Sequence, residues 1–227
     1  MKINYTKAMK YLFALLKGIL AGMAIALGGF LFTVITHYVP GEIGKILGAL
    51  IFPVGLFNVC FFKLFLFTGK IGLVFEEKQT KDFYINLPIM YVGNFLAALA
   101  IGYLCFIIFK DHELFLRISN IAAGKTNLVT YEHYFAMIVK ALITGLCVYL
   151  AVKVYALAKK RYIGIILLFA FIAIFVYIAG DHCIANMYYF SFANNWTSNA
   201  IVNIVLVTIC NSLGTIPGVL LLKAIKK

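Results

Sequence analysis

Six long apolar stretches divide the chain, at about Tyr11 to Ile35, Ile46 to Phe75, Phe83 to Phe109, Tyr134 to Leu157, Ile163 to Phe190 and Ala200 to Leu222. Each reaches the roughly 20 residues that a helix needs to cross ~30 Å of hydrocarbon. Lipid cannot satisfy a backbone amide or carbonyl, so spans of this kind fold as helices with internal hydrogen bonds. The chain reads as an all-α integral membrane protein with six transmembrane helices, and residues 1–227 as a single transmembrane domain. Its 64% hydrophobic and 12% charged residues, with a mean hydropathy of +1.00, exclude the usual soluble balance. The first stretch runs on into further membrane sequence with no small-residue cleavage site, so the amino terminus reads as mature.

An even number of spans puts both termini on one side. Lys2, Lys7, Lys10, Lys17, Lys70, Lys78, Lys81, Lys153, Lys159, Lys160, Arg161, Lys223, Lys226 and Lys227 fall on that side, against Lys45, Lys110, Arg117, Lys125 and Lys140 on or near the other. By the positive-inside rule both termini are expected in the cytoplasm, at the cell (plasma) membrane. The net charge of +12 is then explained by orientation and attraction to anionic lipid, with no nucleic-acid partner. Cys60, Cys105, Cys147, Cys183 and Cys210 stand singly in apolar segments, with no CxxC and no Cys/His pair at ligand spacing. No disulfide, metal site or cofactor is expected.

Two segments are too interrupted to be simple helices. The second carries Pro53, Gly55, Asn58, Lys63, Thr68 and Gly69, and the fifth carries Gly180, Asp181, His182 and Asn186. A break at membrane depth frees backbone groups that only protein or a watery cavity can satisfy. An acid and a base at that depth are expensive unless they face a cavity or a partner, which marks Asp181 and His182 as a functional-site candidate. The interrupted segment is second in each set of three spans, and Gly93-Asn94 in the third span is echoed by Cys210-Asn211 in the sixth. Two similar halves with three spans each must insert in opposite senses, giving an inverted repeat (approximately 11–109 and 134–222) with two broken helices and a site near the midplane. Thr68 and His182 would meet there from opposite sides. Asn94 and Asn211 read as packing residues between helices, and His37, His112 and His133 as solvated residues near span ends. Lys63 has three open readings: snorkelling to the interface, touching a neighbouring subunit, or facing a pore.

These residues resemble the formate/nitrite transporter family, which carries small monovalent anions and includes hydrosulfide channels. The resemblance rests on Ala21-Gly22-Met23-Ala24-Ile25-Ala26-Leu27-Gly28, Phe52-Pro53-Val54-Gly55-Leu56, Leu66-Phe67-Thr68-Gly69, Gly93-Asn94 and Leu146-Cys147-Val148-Tyr149-Leu150-Ala151. It rests above all on Gly180-Asp181-His182-Cys183-Ile184-Ala185-Asn186-Met187, similar to a G-x-E/D-H-x-x-A-N-M signature. It implies an aquaporin-like protomer, a homopentamer with one pathway in each protomer, and a mobile segment at Phe67-Thr68 in the second span. It also implies constrictions at Phe52, Leu56, Phe67 and Phe175, and a substrate pathway past Thr68, Lys125, His182, Asp181 and Asn186. Three positions depart from the pattern. Phe65 replaces an acidic residue, Gly145 replaces an asparagine, and Lys125 matches a pore-directed lysine only if about four extra residues follow it, Val129 holding that position otherwise.

An anion pays a Born cost of many kcal/mol to cross an apolar constriction, and its neutral conjugate acid pays far less. His182 between two apolar gates is suited to that task because imidazole titrates near neutral pH, with Asp181 or Asn186 orienting it and Lys125, if it faces the vestibule, concentrating anions. The expected function is a channel or proton-coupled transporter for formate, nitrite or hydrosulfide, with anion and proton as partners alongside membrane lipid. Two alternatives stand beside it. One is an intramembrane enzyme using Asp181 and His182, for which neither an HExxH nor a multi-histidine set is present. The other is an aquaporin-like neutral-solute channel, for which no Asn-Pro-Ala pair is present.

Overall fold

The computed structural model describes residues 6–225, and every regular element among them is a helix. Lys2, Lys226 and Lys227 of the charge asymmetry lie outside the described residues. The helices are α1 (Lys7–Tyr38), α2 (Gly41–Ile51), α3 (Val54–Phe61), α4 (Phe67–Lys70), α5 (Leu73–Glu76), α6 (Lys81–Phe109), α7 (Glu113–Thr126), α8 (Tyr131–Leu157), α9 (Arg161–Tyr177), α10 (Cys183–Phe192), α11 (Ser198–Leu213) and α12 (Ile216–Ile225). Among the described residues, five stretches are long and apolar enough to cross a membrane: α1, α2 with α3 (Gly41–Phe61), α6, α8, and α11 with α12 (Ser198–Ile225). The apolar α9 has 17 residues and is about 26 Å long, short of a full crossing by itself.

Small residues decide how closely these helices pack. In α1, Gly18, Ala21, Gly22 and Ile25 are buried, and α6 presents Met90, Gly93, Asn94 and Ala97. Side chains this small let two backbones approach where hydrophobic burial against lipid gives no driving force. A Cβ on Gly22 would clash with the carbonyl of Asn94, and one on Gly145 of α8 would clash with the carbonyl of Asn211 in α11. Gly145, a departure from the family pattern in sequence, therefore occupies a contact that admits no side chain. The same close approach, glycine against asparagine, is built twice.

Both breaks follow one plan. The turn after α3 has Lys63 at φ 53, with Lys63 N donating to Cys60 O and Leu64 N to Val59 O. The turn after α9 has Ala179 at φ 55, with Ala179 N donating to Val176 O and Gly180 N to Phe175 O. This paired pattern is a Schellman ending, which usually places glycine at the left-handed position; here it holds a lysine and an alanine. Beyond each turn the chain is extended for a few residues before α4 and α10 begin.

One element was not anticipated. Helix α7 lies in what the sequence presents as a polar loop, yet it buries Leu114, Ile118 and Ala122 along one face. His112 caps it through Nδ1, which accepts from Leu114 N at 3.0 Å. His37 and His133 are only partly exposed, against the expectation of solvated residues, because α7 and the start of α8 fold over this end of the molecule.

Candidate substrate pathway

Asn94 and Asn211 hold the two breaks open. Asn94 Oδ1 accepts from the backbone N–H of Phe67, the first residue of α4, at 2.9 Å, while Asn94 Nδ2 donates to Gly18 O and Phe65 O. Asn211 Oδ1 accepts from the N–H of Cys183, the first residue of α10, at 3.0 Å, while Asn211 Nδ2 donates to Ala141 O and Asp181 O. Each asparagine thus satisfies groups that the interrupted ladder leaves free, which apolar surroundings demand. They are packing residues as read from the sequence, with a defined task.

The two interrupted segments meet at Thr68 and His182. Thr68 Oγ1 lies 2.8 Å from His182 Nε2, and both residues are buried. His182 is also the N-cap of α10, its Nδ1 accepting from Ala185 N at 3.2 Å. In the neutral ring that bond leaves the proton on Nε2. Nε2–H then donates to Thr68 Oγ1, and the threonine hydroxyl hydrogen is free to donate elsewhere. A second proton, on Nδ1, requires the Ala185 bond to break and puts a cation against the first turn of a helix.

Asp181 and Asn186 make no side-chain hydrogen bond to the His182 ring; they form a separate network. Asp181 Oδ1 accepts from Lys125 Nζ at 2.9 Å and from Asn186 Nδ2 at 2.9 Å, and Lys125 Nζ also donates to Gly180 O. Asn186 Nδ2 donates in addition to Asn203 Oδ1, and Asn203 Nδ2 to Lys125 O. Lys125, in the last turn of α7, is thereby fixed to the α9–α10 turn, and Val129 is left exposed. Asn203 was missed in the sequence. Its signal was available: it precedes Asn211 at helical spacing, two polar residues on one face of an apolar segment.

Two cavities flank this centre. The larger, about 570 Å³, is lined by Lys45, Arg117, Lys125, His133 and Lys140 with Asp181, His182 and Asn186. The smaller, about 270 Å³, is lined by Lys63, Leu66, Gly69, Lys70, Val152, Tyr155 and Arg161 among others. They lie at opposite ends of α8: the first touches His133 to Lys140 and the second Val152 to Ala156, at least about 18 Å apart along the helix. His182 lines the larger cavity, and Thr68 stands in the sequence between Leu66 and Gly69, which line the smaller.

The apolar candidates divide. Phe52 and Phe175 both line the larger cavity, their rings edge to face with centroids 6.0 Å apart, and Phe175 stacks on His182 at 6.2 Å. Leu56, one turn beyond Phe52, is buried and lines neither cavity. Phe67 turns its ring onto Tyr91, centroids 4.9 Å apart, and also lines neither. Its neighbour Leu66, fully buried, lines the smaller cavity together with Leu64 of the same loop.

The family profile described as Formate/nitrite transporter matches residues 2–225. The chain belongs to the formate/nitrite transporter family. It is a multi-pass membrane protein of the channel and transporter kind, which sets aside the enzyme alternative. Among solved structures it is similar to a pentameric formate channel with formate bound, at 24% identity and a TM-score of 0.81, covering 97% of this chain and 98% of that one. It is also similar to an FNT family ion channel at 16% identity and a TM-score of 0.70, covering 92% of this chain and 86% of that one. These likenesses establish the fold. No curated protein sequence matches the chain.

Proposed function

We propose that this protein is a channel or proton-coupled transporter for a small monovalent anion, formate, nitrite or hydrosulfide, built from one domain, residues 1–227. The observation that carries the reading is the buried Thr68–His182 contact of 2.8 Å, set between two cationic cavities. An anion gathers in the larger cavity, where Lys125 is matched by Asp181 and Lys45 by Glu42, leaving Arg117 and Lys140 as the uncompensated charges. It passes Phe52 and Phe175, where water is excluded, and takes a hydrogen bond from the free threonine hydroxyl while Nε2–H of His182 supports that oxygen. Hydrogen bonding in this relay lowers the cost of desolvating the anion. Full protonation of the anion would additionally require a proton to reach His182 Nδ1, with loss of the helix cap. Asp181, Asn186 and Lys125 hold the turn that presents His182.

On this reading α9 and α10 together make the sixth crossing, the two interrupted segments belong to an aquaporin-like inverted repeat, and both termini face the cytoplasm. The recurrence of the Asn94 and Asn211 clamps supports the repeat. The solved channel that shares this fold is described as pentameric, and a homopentamer in lipid is the assembly proposed here. Flux of formate, nitrite and hydrosulfide into proteoliposomes, measured side by side, tests the function. At least one anion should enter faster than into empty vesicles, and rates no faster than empty vesicles for all three would remove the reading.

A further inference from the structure

We propose that the smaller cavity is a second binding subsite for the transported anion, formed by Lys63, Lys70 and Arg161. This rests on the anion-transport reading and extends it to the opposite mouth of the pathway.

Lys63, Lys70 and Arg161 all line the cavity, and no acidic side chain does. Among the described residues none of the three is paired with a carboxylate. Lys70 Nζ stands 5.9 Å from the centre of the Phe65 ring and Arg161 lies over Tyr155 at 5.1 Å, so aromatic faces hold both cations without neutralising them. Three cations around about 270 Å³ suit a small anion, and the lining includes Leu66 and Gly69, on either side of Thr68 in the sequence.

Lys63 adds an independent observation. Its φ of 53 is a conformation in which glycine is strongly favoured, and the turn in which it sits is one that ordinarily ends in glycine. A side chain retained at such a position is strained, and strain of this kind collects at functional sites. The side chain is exposed and lines the cavity. The geometry of the turn needs no lysine; the cavity uses one.

The test is formate flux measured separately from each face of orientation-resolved proteoliposomes, for wild type, Lys63→Gly, Lys70→Gln and the double variant. Lys63→Gly removes the charge while favouring the native backbone, so its melting temperature should equal or exceed that of wild type. For the double variant the half-saturating formate concentration on the smaller-cavity face should rise about fivefold, with the opposite face unchanged. Binding is read apart from flux, as broadening of the labelled-formate carbon resonance by solubilised protein, and should weaken in the same variants. Equal half-saturation in wild type and double variant overturns the proposal, as does an equal rise on both faces. Loss of co-purified anionic phospholipid with formate binding intact would assign the cavity to a lipid phosphate instead, and would also overturn it. If wild type binds formate at this cavity but transports no anion, the functional reading fails and the subsite stands.

Discussion

His182 does three things with one ring: it caps α10 through Nδ1, meets Thr68 through Nε2 and stacks on Phe175. Thr68 and His182 were legible in the sequence because polar residues are rare in its apolar segments and both sit beside breaks. The role of Lys125 was not, since it depends on α7, which looks like loop. The structure recasts that lysine. With Asp181 as its partner, it acts chiefly as one half of a buried ion pair that holds the turn before His182. Removing one partner of such a pair strands a charge, at a cost of about 3–5 kcal/mol. Lys125→Gln should therefore lower assembled protein and melting temperature, and adding Asp181→Asn should recover most of both. If the single and double variants are equally unstable, the pair is not what Lys125 contributes.

Two interrupted segments bring the pathway residues together. Their existence could be read from Pro53, Gly69 and Gly180, whereas their ends could not: a Schellman turn with lysine or alanine in the left-handed position leaves no glycine to find. Asn94 and Asn211 looked like generic packing residues, because only the fold brings each beside a freed amide. Asn211→Ala leaves Cys183 N–H and Asp181 C=O without this partner, while Ala141 C=O stays within the α8 ladder, and each unmet group costs about 1–3 kcal/mol. Circular dichroism melts should show Asn211→Ala well below wild type, and Asn94→Ala lower by a similar amount. A melt like wild type for either would mean that its break is held by something else. The Phe52–Phe175 pair gives a separate test, because these rings act by steric closure and dewetting. Phe175→Ala should raise the acetate-to-formate flux ratio per assembled protein, and an unchanged ratio would leave Phe175 a packing residue.

Across the whole molecule, composition and span length made the membrane setting legible. The charge layout was only partly legible. Counting basic residues by side predicts orientation, but it does not show that Arg117 and Lys140 converge on one cavity and Lys63, Lys70 and Arg161 on another. Charges at mouths of this kind raise local anion concentration, and salt screens them over about 8 Å at physiological ionic strength. Formate uptake at low substrate should fall as an inert salt is raised, and Lys140→Gln should flatten that dependence on the face where the larger cavity opens. A salt dependence identical to wild type would take Lys140 out of anion capture.

On the function proposed, the anion crosses the membrane at His182. The most direct measurement is formate flux as a function of pH in proteoliposomes holding equal amounts of assembled wild type and His182→Asn. Asparagine keeps a hydrogen-bond donor but has no titratable proton near neutral pH. His182→Asn should lose most of the proton-coupled uptake and most of its pH dependence, with a residual anion leak. A folded His182→Asn protein with wild-type flux and a wild-type pH profile would contradict it.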